Sequence, residues 1–261
     1  MKVTKETNLI VLDALQIHGK LTVHEVTKLI EVSEATARRL FVKLEEQGLV
    51  VRTFGGIRLV ESDSSHYSFK DSARRMIKEK NAIGEAAAQE IENDDQVFLD
   101  SGTTVMAMSR ALARRIQAEE IRGLRVVTNS LIIADQLSEL CKVIFVGGEI
   151  RPERRDACGF LAEELMKKLH LKKAFLGCDA LSFESGLMTT DERSARMNEI
   201  IIKNASKIYL LADAQKIGGI SFVSYGTLAQ LDTFFVDSSI SPEQRTQLEK
   251  RIPHLIVVNP A

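Results

Sequence analysis

Seven short apolar runs, with helical stretches between them, constrain the fold of this chain more than any other feature. Amphipathic segments such as 105–116 and 192–205 separate several of these runs. Continuous apolar strands that alternate with helices form largely parallel sheets whose two faces are both covered. The runs are 96–100, 124–129, 141–148, 172–179, 207–213, 231–237 and 254–260. The sequence therefore predicts a mostly parallel α/β domain over residues 74–261.

The first 60 residues follow a different pattern, in which three short helical segments precede an alternating hairpin. Thr22 and Ser33 are suited to cap the second and third helices, and only residues 31–33 separate the two. The run LVVRTFGGIRLV alternates and turns at Gly55–Gly56. This order is typical of a winged helix-turn-helix. We expect a DNA-binding domain at 1–60 and a serine-rich linker at 61–73.

The third predicted helix carries the candidate DNA interface. At about 100° per residue, one face gathers Ala37, Leu40, Phe41 and Leu44. The opposite face carries Ala35, Arg39 and Glu46, and its small and basic side chains suit a major groove although the acidic one does not. Residues 1 to 61 hold nine Lys or Arg against eight Asp or Glu, so their net charge is only +1. A protein-docking module therefore remains an alternative. The candidate DNA-binding residues are Ser33, Ala35, Thr36, Arg38, Arg39, Lys43, Arg52 and Arg58.

Small polar residues directly follow several predicted strands, where ligands bind in open α/β sheets. Glycines and hydroxyls at a helix N-terminus offer N–H donors to an anion, and carboxylates accept hydrogen bonds from sugar hydroxyls. Taken singly, each residue is better explained as a helix cap, a turn or a solvated loop residue. Together they predict a polyol-phosphate site formed by Ser101, Gly102, Thr103, Thr104, Asn129, Ser130, Gly147, Gly148, Gly177, Asp179, Asp213 and Lys216.

The segment VSEATARRLFVKLEEQGLVVRTFGG resembles the signature of the DeoR-type repressors of bacterial carbohydrate operons. The stretches FLDSGTT, VVTNS, FVGGEIR, FLGCDALSFESGL and LLADAQKIG follow in that family's order. The resemblance implies a ribose-phosphate-isomerase-like C-terminal fold that binds a phosphorylated sugar as inducer. It also implies a recognition helix at 33–43, and it adds Asp100 and Thr128 to the effector pocket.

The cysteines and the N-terminus limit the remaining classes of function. Cys141, Cys158 and Cys178 are widely spaced without a CxxC pair, so we expect neither a metal site nor a disulfide. The N-terminal apolar run is too short for a signal peptide, and we expect a cytoplasmic protein with no membrane segment. Paired half-sites on DNA favour a homodimer or homotetramer.

Two readings of the C-terminal domain compete. We favour a sensor with no catalytic residues and no cofactor besides the sugar phosphate, most simply part of a repressor. The alternative is an isomerase-like enzyme with an accessory N-terminal module. In that case Asp100, Asp179 and Lys216 are residue types able to do acid–base work on an open-chain sugar.

Overall fold

The chain folds into two compact units, Met1–Asp63 and Ser64–Ala261. The structure, a computed structural model, describes residues 5–18, 20–46, 49–53, 55–59 and 68–260. None of the helices in these stretches is both long and apolar enough to cross a lipid bilayer.

The N-terminal unit is the winged helix-turn-helix that the sequence predicts. Its three strands form an antiparallel sheet in the order β1-β3-β2. The strand β1 has only three residues and was not predicted, because so short a segment leaves no alternating pattern. The elements are α1 (Lys5–His18), β1 (Lys20–Thr22), α2 (Val23–Leu29), α3 (Glu34–Glu46), β2 (Val50–Thr53) and β3 (Gly56–Leu59).

Local interactions fix the helices of this unit. The Oγ1 of Thr22 accepts a hydrogen bond from Glu25 N at 3.2 Å, and Thr22 N donates to Glu25 Oε2 at 2.7 Å, which closes a capping box at the start of α2. Ser33 Oγ accepts from Thr36 N at 3.4 Å before α3. The predicted inner face of α3 is confirmed, since it is buried in the core of the unit through Ala37, Leu40, Phe41 and Leu44.

The C-terminal unit contains twelve strands, seven α-helices and two three-residue 3-10 helices within the described residues. The strands are β4 (Gln96–Leu99), β5 (Arg125–Thr128), β6 (Lys142–Phe145), β7 (Glu149–Arg151), β8 (Asp156–Cys158), β9 (Leu171–Leu176), β10 (Ala180–Ser182), β11 (Gly186–Thr189), β12 (Ala205–Leu211), β13 (Val223–Gly226), β14 (Thr233–Asp237) and β15 (His254–Val258). The helices are α4 (Phe69–Arg74), α5 (Ile77–Ala88), α6 (Thr103–Gln117), α7 (Leu131–Leu137), α8 (Phe160–Met166), α9 (Glu192–Asn204) and α10 (Pro242–Glu249).

The seven predicted apolar runs form one parallel sheet in the order β15-β14-β12-β9-β4-β5-β6. Successive side chains enter different hydrophobic clusters on the two faces, as Phe98 and Leu99 of β4 do. Both faces are therefore buried, and the predicted mostly parallel α/β architecture is confirmed.

The strand order reverses between β4 and β9, which are neighbours at the middle of the sheet. From β4 the chain proceeds outward to β5 and β6, and from β9 it proceeds in the other direction to β12, β14 and β15. In open α/β sheets a crevice opens at such a switch point, outside the carboxyl ends of the strands.

Some elements were not predicted. Two small antiparallel sheets, β10-β11-β13 and β7-β8, flank the main sheet. Helix α4 begins inside the segment predicted as a linker, because Ser68 Oγ accepts from Asp71 N at 3.3 Å and Phe69 is buried in a core cluster. Residues 61–67 of that segment lie outside the described residues.

Candidate functional site

A cavity of about 260 Å³ opens at the carboxyl ends of β4, β9 and β12, next to the switch point of the sheet. The fold therefore places it where a ligand is expected. Nine of the predicted effector residues line this cavity. They are Asp100, Ser101, Gly102, Thr103, Thr104, Gly177, Asp179, Asp213 and Lys216.

The other five predicted effector residues are not among those that line the cavity. They are Thr128, Asn129, Ser130, Gly147 and Gly148. Thr128 Oγ1 donates to Leu99 O at 2.7 Å, and Asn129 Nδ2 donates to Ala157 O at 3.1 Å. Gly148 lies so close to the backbone that an added Cβ would be 2.3 Å from Cys158 O. Thr128 and Asn129 therefore use their side chains to bind neighbouring backbone, and Gly148 permits a close approach to β8.

Helix α6 presents its N-terminus to the cavity. Gly102 is the N-cap and provides no side-chain cap, while Thr103 and Thr104 begin the helix. The first N–H groups of a helix have no partner inside it, and the helix dipole favours an anion there. This end of α6 is thus suited to bind negatively charged oxygen atoms.

Asp100 forms the floor beneath α6. Its Oδ2 accepts a hydrogen bond from Gly177 N at 3.1 Å, and its Oδ1 accepts from Ser101 N at 2.8 Å. Burial raises the pKa of Asp100 to about 6, because desolvation outweighs these two hydrogen bonds, and the Asp156 and Asp179 carboxylates add to the rise. Asp100 therefore changes its charge close to neutral pH.

Two more carboxylates face the cavity. Asp179 Oδ2 accepts from Thr189 Oγ1 at 3.0 Å, from Thr190 N at 2.9 Å and from Thr190 Oγ1 at 3.1 Å. Because all three donors bind one oxygen, the carboxylate is held in a fixed orientation. Asp213 follows β12 and is only 3% exposed. Both side chains are acceptors of the kind that bind hydroxyl groups.

Arg75, Lys80 and Lys216 bring positive charge to the cavity. In the part of the chain that the structure describes, no carboxylate oxygen lies within 4.0 Å of a side-chain nitrogen of Arg75, Lys80 or Lys216. Lys80 is 6% exposed, and its Nζ donates to Ser72 O at 2.6 Å. Burial lowers the pKa of Lys80 to about 8, with Lys216 and Arg75 adding to the effect and Asp213 opposing it.

Several of these residues were absent from the sequence prediction. Lys80 lies three residues before Ile83 and seven before Ala87, on the buried face of α5, and that position was a usable signal. Arg154 also lines the cavity and binds Asp191 Oδ2 at 3.0 Å. The other lining residues that were missed are Ser72, Arg75, Met76, Cys178, Thr189, Ser194, Asn198, Leu211, Ala212 and Gln215.

The predicted DNA-binding residues lie on the N-terminal unit. Thr36 is half-buried, and Ser33, Ala35, Arg38, Arg39, Lys43 and Arg52 are exposed. The side chain of Arg58 lies outside the described residues. Each of the other three arginines has a partner nearby. Arg38 Nη2 lies 3.7 Å from Glu34 Oε2, and Arg52 Nε lies 2.8 Å from Glu45 Oε2. Arg39 Nε donates to Ala35 O at 3.4 Å.

These arginines share one surface. Arg38, Arg39 and Arg52 line a single cleft between α3 and the tip of the hairpin. Exposed ion pairs contribute little to stability, so Arg38 and Arg52 can exchange their glutamate partners for phosphates at small cost. The arrangement suits contact with a nucleic-acid backbone.

Comparison with known proteins identifies both units. Residues 9–63 match the model of the DeoR-like helix-turn-helix domain, and residues 75–238 match that of the DeoR C terminal sensor domain. The HTH-type transcriptional repressor GlcR of Bacillus subtilis is 34% identical over 87% of this chain and 86% of its own length. The HTH-type transcriptional regulator GlpR of Haloferax volcanii is 34% identical over 83% of each chain.

Among solved structures, ribose 5-phosphate isomerase A of Methanocaldococcus jannaschii is similar with a TM-score of 0.40. It is 16% identical and covers 53% of this chain and 53% of its own.

Proposed function

Because the chain belongs to the DeoR family of DNA-binding transcription regulators, we propose that it is a repressor whose cavity binds a phosphorylated sugar and thereby weakens its hold on DNA. We assign residues 1–60 to DNA binding and residues 74–261 to effector sensing. The name of the similar GlcR protein as a repressor supports the direction of regulation. A regulator that binds DNA acts in the compartment that holds the DNA, which supports the expected cytoplasmic location.

The observation that carries the proposal is the composition of the cavity. Arg75, Lys80 and Lys216 supply positive charge without carboxylate partners in the described part of the chain, and the N-terminus of α6 supplies N–H donors. Asp179 and Asp213 supply acceptors on the same cavity. A phosphate group requires the first set and sugar hydroxyls require the second. A sugar phosphate is the simplest ligand that satisfies both.

A thermal-shift screen tests the ligand. The purified chain is heated with each of a panel of pentose and hexose phosphates, and the matched control is the same sugar without phosphate. A ligand at 100 times its dissociation constant stabilises a protein by about 2.7 kcal/mol. We expect stabilisation by one or a few phosphorylated sugars and none by their free forms. Equal effects of both forms would contradict a phosphate site.

Gel retardation with the DNA upstream of the chain's own gene tests the other half. The double variant Arg38→Ala/Arg39→Ala should abolish specific retardation and leave the thermal response to sugar phosphates intact. The control Lys167→Ala/Lys168→Ala removes the same charge from exposed positions near the end of α8 and should bind DNA like the wild type. Binding through phosphates should weaken steeply with salt. Unchanged DNA affinity of the first variant would refute the recognition-helix assignment.

We also propose that the cavity binds its ligand without turnover and that the regulator acts as a homodimer or homotetramer. The similar proteins GlcR and GlpR are named as regulators, which supports binding over catalysis. Paired half-sites on DNA call for paired recognition helices, which supports an oligomer. Incubation with the sugar phosphates found in the screen tests for turnover, and light scattering after size-exclusion chromatography measures the mass in solution.

A further inference from the structure

One wall of the cavity is the corner between α4 and α5. Ser72, Arg75, Met76 and Lys80 all line the cavity there. Met76, between the two helices, has a φ of 52°, a left-handed conformation that is uncommon for a residue with a side chain. Such backbone persists where surrounding interactions hold it, and it often marks a switch region.

Helix α4 has only six residues, so its attachments determine whether it persists. At its start Phe69 is 8% exposed in a core cluster, and Phe69 N donates to Glu153 O at 2.8 Å. Near its end Ser72 O accepts from Lys80 Nζ at 2.6 Å. A lysine at this end also complements the negative pole of the helix.

The ammonium group of Lys80 therefore contacts α4 and also borders the cavity. It binds the end of α4, and it lines the cavity with no carboxylate oxygen within 4.0 Å in the described part of the chain. An ammonium group has three donors, so one can stay on Ser72 O while another meets an anion. An anion beside it also offsets the burial and the neighbouring cations that lower the pKa of Lys80 to about 8.

The position of α4 along the chain gives this contact a consequence. The N-terminal unit ends at Asp63, and α4 at Phe69–Arg74 is the first described helix after it. Along the chain, only residues 64–68 separate α4 from the DNA-binding unit.

We propose that Lys80 couples the cavity to DNA binding: a phosphate group bound against Lys80 and Arg75 fixes the end of α4, and α4 transmits the occupancy of the cavity to the N-terminal unit. This inference rests on the proposed function and specifies how the same site is regulated. The two states are a free corner, held by one contact from Lys80, and a bound corner held through the ligand as well. Ligand and DNA then bias one equilibrium, and the coupling is reciprocal.

Hydrogen exchange of the full-length chain tests the first step, with inorganic phosphate as the probe and chloride at equal ionic strength as the reference. In the wild type, phosphate should slow amide exchange in residues 70–76 by about tenfold, a common size for one added charged hydrogen bond. Lys80→Met should exchange faster in this segment without phosphate and show no slowing with it. Lys78→Met, on the exposed face of the same helix, should respond like the wild type.

Retardation assays with and without phosphate test the second step. Phosphate should weaken DNA binding of the wild type by at least about fivefold, the lower end of usual allosteric couplings. Phe69→Leu loosens the far end of α4 away from the cavity, so it should keep the thermal response to phosphate and lose most of this DNA effect. Lys70→Ala, exposed on α4, is its control.

The results separate the inference from the proposed function. If sugar phosphates stabilise the chain but phosphate leaves the exchange of residues 70–76 unchanged, or if Lys80→Met responds like the wild type, the coupling through α4 is refuted and the sensor function stands. If no sugar phosphate stabilises the wild type, the proposed function itself fails.

Discussion

The carboxyl of Asp100 provides a quantitative test of the floor of the cavity. Its pKa rises from the ordinary value of 3.8 to about 6, chiefly because burial removes water from the ionised form. The folded chain therefore keeps a proton at pH values where the unfolded chain has lost it. Folding takes up this proton between about pH 4 and pH 6, so the free energy of unfolding falls as pH rises through this window. At 1.36 kcal/mol per pH unit the loss is about 3 kcal/mol.

Asp100→Asn removes this ionisation and reveals the effect by difference. The free energy of unfolding of the variant minus that of the wild type should increase by about 3 kcal/mol from about pH 4 to about pH 7. Any cost of placing the amide NH2 opposite Gly177 N or Ser101 N is constant over this range and cancels from the slope. Urea denaturation followed by circular dichroism gives the values.

Two precautions make that measurement decisive. Buffers must be free of phosphate, since an anion in the cavity would itself raise the pKa of Asp100. Asp135→Asn, at an exposed position of α7, is the matched control and should give a flat difference across the same range. A flat difference for Asp100→Asn as well would refute the argument that burial keeps this carboxyl protonated.

Two further variants, one in each unit, test how closely the chain is packed. Gly148→Ala would place a Cβ 2.3 Å from Cys158 O and should lower the free energy of unfolding by about 2 kcal/mol, whereas Gly147→Ala, whose nearest neighbour atom is 3.9 Å away, should be close to neutral; urea denaturation compares the two. Leu44→Ala, at 0% exposure on α3, should destabilise the N-terminal unit by about 3 kcal/mol and lower its melting temperature in calorimetry, while Val42→Ala at 37% exposure should change it little.

The main sheet could be predicted because its signal is local. Each strand, such as Phe98–Leu99 within β4, inserts apolar side chains into both faces, so a short continuous apolar run is sufficient to identify it. The three-residue strands β7, β8 and β10 have no room for a periodic pattern. Their place depends on tertiary pairing, which the sequence does not display.

The cavity was predicted only in part, for a related reason. Small polar residues follow β5 and β6 as they follow β4 and β9, so the sequence-based prediction assigned all four strand ends to one site. Only strand order decides which ends border the switch point, and this order places Asp100 beside Gly177, with Asp100 Oδ2 3.1 Å from Gly177 N. The α4–α5 corner was missed because neither Arg75 nor Met76 is a residue type that predicts the left-handed conformation found at Met76.

The arrangement of charge around the cavity explains why the proposed ligand should need both a phosphate group and sugar hydroxyls. Lys80 and Lys216 lie on the same cavity as Asp179 and Asp213, yet no nitrogen of these lysines lies within 4.0 Å of a carboxylate oxygen in the described residues. Burial in a partly dry site destabilises an unpaired charge, and a bound group of opposite charge offsets that desolvation penalty. Phosphate alone satisfies the cations and brings a new negative charge near the carboxylates. Hydroxyl groups on the same molecule can donate hydrogen bonds to those carboxylates. The affinity of the cavity for a phosphorylated sugar should therefore exceed the affinity expected from inorganic phosphate and the free sugar measured separately.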